Sequence, residues 1–210
     1  MNSVIHESGH AMQEMLCMDK YDVIELLSPV QDMSELPSKS MELISYNYAD
    51  KFFGEDADKY VKGHLAEFLA EIGEYCKWHE FETYIYSNPD ATTQERIDKY
   101  NELYELYEPG VEQLYPELLA KGGRLYKGMN IFKVPRYVIS YSICDLAAIY
   151  IANEFKKDKK KGSDIFIKLG EVGNSMDYND SMEYLGLKSA FDEEVMIEAA
   201  EYLKNELGLE

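Results

Sequence analysis

His6-Glu7-Ser8-Gly9-His10, set in Val4-Ile5-His6-Glu7-Ser8-Gly9-His10-Ala11, is the stretch whose residue types and spacing carry chemistry. Asn2 or Ser3 can cap a helix running from Val4 to about Met18. On a helix, residues i and i+4 share a face, so the imidazoles of His6 and His10 can reach one metal ion. Glu7, beside the first of them, can serve as general base on an attacking water. Two histidines do not complete a catalytic zinc site, which takes three protein ligands and keeps a fourth position open. A carboxylate on a nearby helix is the expected third ligand. Glu35 lies 25 residues after His10, directly before Leu36-Pro37-Ser38. Gly9 costs a helix interior about 1 kcal/mol against Ala, which makes sense if another backbone packs close to it.

Outward from this stretch the chain reads as helices joined by short loops. Pro37 suits the first turn of a helix that runs to about Phe53. Residues 57–86 form the longest helical pattern, with Leu65, Phe68, Leu69, Ile72, Tyr75 and Cys76 at 3–4 spacing. Ser87-Asn88-Pro89-Asp90 stops it, Thr93 with Glu95 opens the next helix, and Pro109-Gly110 closes that one after Tyr107. A buried helix spans about Pro135 to Phe155, and the lysines after it place cations at its C-terminus. Three shorter helices end near Leu207. Strand signals are scarce and no linker marks a domain boundary. The expected fold is all-α, a multi-helix zincin-type catalytic domain over residues 1–210.

Composition narrows the function. The chain has 210 residues, 21 Lys+Arg against 40 Asp+Glu, and a net charge of −19, which argues against nucleic acid or an anionic membrane surface as partner. The longest apolar run, Tyr137 to Ala152, contains Asp145 and is short for a membrane span. Cys17, Cys76 and Cys144 are widely spaced and form no CxxC, so free thiols in a reducing cytoplasm are expected. The N-terminus lacks the basic and apolar regions of a signal peptide.

Several ordered segments resemble one family. Residues 4–11, together with Ser34-Glu35-Leu36-Pro37-Ser38-Lys39-Ser40-Met41-Glu42-Leu43, resemble the two zinc-site helices of the oligoendopeptidase F and thimet oligopeptidase family. Glu80-Phe81-Glu82, Tyr86-Ser87-Asn88-Pro89, Ile131 to Tyr141 and Gly186-Leu187-Lys188-Ser189-Ala190-Phe191 continue the likeness along nearly the whole chain. The resemblance implies His6, His10 and Glu35 as Zn²⁺ ligands and Glu7 as catalytic base. It implies Glu42 as a hydrogen-bond partner of a ligating His, and short unstructured peptides as substrates. Tyr137 and Tyr141 match family tyrosines that steady the oxyanion; ordinary aromatic packing at i, i+4 is the other reading of the pair. His64 also matches a family His and is expected to be a hydrogen-bonded structural residue, not a ligand.

Two departures from the family are visible. Its members are long chains with HExxH well inside them, whereas here the motif begins at residue 6. An N-terminal half is therefore expected to be missing, with self-association or association with that half as its consequence. Asn130 stands where the family has a His, and Asn can give a neutral hydrogen bond but no positive charge. The expected function is a zinc metalloendopeptidase. The alternatives are a metal-retaining, catalytically weak module that binds peptides or assembles with a partner, and a helical structural protein with a chance HExxH.

Overall fold

The computed structural model describes residues 2–109, 116–128 and 130–209. Among them the regular elements are all helical: α1 (Asn2–Lys20), α2 (Gln31–Ser34), α3 (Leu36–Ser45), α4 (Ala49–Phe53), α5 (Ala57–Ser87), α6 (Thr93–Tyr107), α7 (Pro116–Ala120), α8 (Asn130–Lys133), α9 (Ile139–Lys157), α10 (Lys159–Gly170), α11 (Tyr178–Leu185) and α12 (Glu193–Leu207), with short 3-10 turns between some of them. The fold is all-α, as the sequence pattern implies. No described helix is long and apolar enough to cross a membrane.

Local chemistry accounts for several helix ends. Pro37 occupies the first turn of α3, where its missing N–H has no intrahelical partner to lose. The side chain of Thr92, one residue before the expected start, caps α6 by a reciprocal capping box with Glu95. Gly110, expected as part of the stop of α6, lies outside the described residues.

Two expectations need correction. The helix expected from Pro37 to Phe53 is interrupted: α3 ends at Ser45, Tyr46–Tyr48 tighten into a 3-10 turn, and α4 follows. Tyr48 at φ −130, ψ 13 lies outside helical geometry, so the 3.6 period is broken there although the composition stays helical. The lysine run also does not simply trail α9. Asp158 caps a new helix by accepting from the Lys160 and Lys161 N–H groups, so Lys159, Lys160 and Lys161 begin α10.

The chain divides into two compact units, Met1–Phe68 with Ile143–Glu210, and Leu69–Ser142. In the first, α3 is buried at every residue except Met41 and Ser45. It packs against α1 and α10, and Lys39 forms a buried ion pair of 3.3 Å with Asp145 of α9. Cys144, Ala148 and Ile151 on α9 are fully buried. The core of the second unit is aromatic, with Trp78 and Phe81 packed against Tyr100, Leu103 and Tyr104. Tyr100 and Tyr104 are therefore a packing stripe.

Candidate metal centre

The site is built where α1 meets α3. The contact is close because position 9 has no side chain. A Cβ on Gly9 would lie 2.5 Å from the Ser38 Cα and 2.8 Å from the Pro37 carbonyl oxygen, far inside van der Waals contact. Gly9 thus lets the backbone of the first turn of α3 lie against α1, beside His6 and His10.

Glu35 is the residue that leads into α3. The Ser38 hydroxyl lies 2.8 Å from the Glu35 carbonyl oxygen and 3.2 Å from its carboxylate Oε2, so its one proton is shared between them. The same Oε2 lies 3.3 Å from His6 Nε2 and 3.4 Å from His10 Nε2. The two Nε2 atoms are 3.2 Å apart. His6, His10 and Glu35 form the one group among the described residues whose His, Cys, Asp or Glu ligand atoms converge in this way. Tetrahedral zinc with bonds of about 2.05 Å requires ligand atoms about 3.3 Å apart. The three observed edges match that figure, and two imidazoles with one carboxylate are a donor set that zinc accepts. The residues present therefore fit the metal.

Glu42 sits behind His6. Its Oε1 accepts from His6 Nδ1 at 2.5 Å, which leaves the His6 Nε2 lone pair directed at the ligand triangle. Its Oε2 lies 2.9 Å from His64 Nε2. Glu42 is 5% exposed. Burial disfavours its charge, but hydrogen bonds from His6 and His64 outweigh it and hold the carboxyl down at about 2. Burial also opposes the charge on Glu35, and hydrogen bonds from His10 and His6 again win, so its carboxyl stays well below the usual range. In the metal-free protein the hydrogen bonds to Glu35 and Glu42 lift His6 to about 9. Glu7, beside His6 on α1, is exposed.

The chain carries the sequence signature of Peptidase family M3 over residues 1–201. It belongs to that family. Three solved structures share the fold of this M3 chain. A structure assigned as an oligoendopeptidase F is 27% identical, with a TM-score of 0.88 over 98% of this chain and 36% of its own. PZ peptidase A, solved with an inhibitor, is 25% identical, with a TM-score of 0.89 over 99% of this chain and 37% of its own. A structure from Bacillus anthracis, also assigned as an oligoendopeptidase F, is 24% identical, with a TM-score of 0.80 over 99% of this chain and 34% of its own, and speaks for the fold alone. The M3 chain thus spans about a third of the length of these structures. No curated protein matches it.

The other residues singled out by sequence belong to the second unit. The Tyr137 and Tyr141 hydroxyls are 3.3 Å apart, one turn along the chain from each other, and the Tyr141 ring lies 5.2 Å from that of Tyr75. Asn130 is exposed at the start of α8 and borders a recess of about 260 Å³ with Lys77, Trp78 and Arg124. His64 is 8% exposed and bonded on both ring nitrogens, a hydrogen-bonded residue as expected. Sequence reading did not find Ser38, Lys39 or Tyr46. The Ser38–Glu35 contact is local, at i, i+3; those of Lys39 with Asp145 and of Tyr46 with His64 depend on how helices pack, and no spacing rule reports them.

Proposed function

We propose that residues 1–210 supply the catalytic region of a zinc-dependent metalloendopeptidase of the M3 family that hydrolyses short, unstructured peptides. In the family's arrangement this region is the C-terminal one. The observation that carries the reading is the ligand triangle of His6, His10 and Glu35, with edges of 3.2–3.4 Å. When bound, zinc supplies Lewis acidity to a peptide carbonyl and to the attacking water. Glu7 takes a proton from that water on its carboxylate and delivers one to the leaving amine. Its exposure at the edge of α1 gives water access to it. Glu42 holds the His6 ring in the tautomer that keeps Nε2 free. Tyr137, Tyr141 and Asn130 donate hydrogen bonds to the developing oxyanion. Peptide is the partner, and the cytoplasm suits the free thiols of Cys17, Cys76 and Cys144.

A second reading is favoured by Asn130. Its amide offers a neutral donor where the family has a His, and loss of one oxyanion donor typically lowers kcat by about 100- to 1000-fold. A chain of this kind would hold metal and peptide with little turnover.

Metal analysis with quenched fluorescent peptides of increasing length tests both readings. The first expects one bound zinc, cleavage of short peptides, and loss of both metal and cleavage in His6→Ala and Glu35→Ala. Bound zinc with peptide affinity but no cleavage would select the second. Wild-type protein that takes up no metal would overturn both.

A further inference from the structure

The hydrogen bonds around Glu42 do not end at His64. Tyr46 Oη lies 2.5 Å from His64 Nδ1, His64 Nε2 lies 2.9 Å from Glu42 Oε2, and Glu42 Oε1 lies 2.5 Å from His6 Nδ1. We propose that His64, backed by Tyr46, is a positioning residue for the metal centre: it fixes Glu42 and, through Glu42, the ring of His6. The inference rests on the metal centre of the proposed function and extends it to two residues that touch neither metal nor substrate.

Donor and acceptor counting gives the chain of bonds one direction. An ionised carboxylate only accepts, so Glu42 requires a proton on both facing nitrogens, His64 Nε2 and His6 Nδ1. A neutral His64 protonated at Nε2 has a bare Nδ1, which must accept, and the Tyr46 hydroxyl donates to it. Burial pushes the Tyr46 phenol far above its ordinary range, so it remains a donor. At the other end, His6 with its proton on Nδ1 has a bare Nε2, the atom in the ligand triangle. Reversing either bond to Glu42 would set two acceptors face to face, and a neutral His64 then leaves the Tyr46 hydroxyl as the donor to Nδ1. The Glu42 carboxylate thus sets the proton of His6 on Nδ1, and the Tyr46–His64 pair holds that carboxylate in place.

The surroundings hold the relay in place. Tyr60 stacks on the His64 ring at 5.8 Å and 19°, and Phe68 meets it edge-on at 5.3 Å. Tyr60 is itself stacked on Phe53 at 3.8 Å. The imidazole therefore has little freedom to rotate. A buried His needed only for packing would require neither two aligned polar partners nor a carboxylate that also serves a metal-binding ring.

The test uses the full chain loaded with Zn²⁺ or Co²⁺. His64→Leu should weaken zinc affinity, measured by chelator competition, by about 10- to 100-fold, and should alter the visible absorption of the cobalt-loaded protein. His64→Gln places an amide donor near the position of Nε2 and should restore both towards wild type. Tyr46→Phe removes one oxygen and should speed metal loss to a chelator, which keeps the test informative if His64→Leu does not fold. Urea unfolding of the metal-free variants separates packing from positioning. A His64→Leu protein that is less stable, yet has wild-type zinc affinity and cobalt spectrum, would overturn the proposal and leave the proposed function standing. Wild-type protein that binds no metal would remove both.

Discussion

Three glutamates near the ligand triangle occupy three environments, and environment separates their chemistry. Glu42 is buried between two imidazoles, so it is committed as an acceptor. Glu35 points one oxygen at both His6 and His10. Glu7 alone is exposed, and a general base must exchange protons with water. Glu7→Gln should therefore keep stoichiometric metal and lower peptide turnover by about 100- to 10,000-fold, the usual worth of a positioned base. Metal analysis beside a turnover assay checks this, and an active Glu7→Gln protein would place the base elsewhere. His6 provides a pH signature. Its folded metal-free pKa of about 9 lies above the ordinary 6.5, so the stability it contributes is fully present below pH 6.5 and is lost as pH rises to about 9. Bound metal requires a neutral His6 and removes that loss. The gain in Tm on adding zinc should then widen between pH 6.5 and 9; a constant gain would show that His6 is not the group exchanged. At this scale the sequence was informative, because i, i+4 spacing by itself puts two imidazoles on one face, and Glu35 precedes a proline that fixes where α3 begins. The His64–Tyr46 pair carries no such signal. It lies 18 residues apart on different elements and meets only through packing.

The elements that carry these residues depend on one glycine. Gly9 weakens α1 locally, and its benefit is the approach of Ser38 and Pro37. Gly9→Ala should gain about 1 kcal/mol of helix propensity and lose about 1–3 kcal/mol to overpacking, because the atoms it meets belong to backbone and cannot rotate away. The net effect should be a lower Tm in the metal-free protein and weaker metal binding, since moving α3 outward carries Glu35 away from the two histidines. Calorimetry and chelator competition measure the two effects, and unchanged zinc affinity would show that α3 can slide without moving Glu35. The reason for this glycine could be anticipated from sequence, as a residue too costly for a helix unless something packs on it. The break between α3 and α4 could not, since Tyr46-Asn47-Tyr48 contains neither Gly nor Pro and deviates through the backbone of Tyr48.

On the scale of the whole molecule, the all-α class follows from composition and period, but the division into two units leaves no trace in the sequence. Its boundaries, after Phe68 and Ser142, fall inside α5 and α9, where helix runs on without a break and no Pro-rich or Gly-rich stretch marks a linker. Net charge is a property of the whole chain, and it makes a prediction of its own. At −19 the acidic groups repel one another across the surface. Surface pairs such as Lys62–Asp58 and Lys160–Asp164 are exposed and such pairs contribute little each. Screening by salt should remove more repulsion than attraction as the Debye length falls from about 10 Å at 0.1 M to about 3 Å at 1 M. Tm should therefore rise with NaCl concentration. The ligand triangle acts at direct contact, over 3.2–3.4 Å among half-buried groups, which salt screens much less than exposed charges, so the gain from zinc should change little across the same series. Melting curves with and without zinc should rise in parallel. A Tm that falls with salt would mean that the surface ion pairs outweigh the net repulsion, and a zinc gain that collapses with salt would mean that the metal acts by diffuse charge neutralisation and not by coordination to His6, His10 and Glu35.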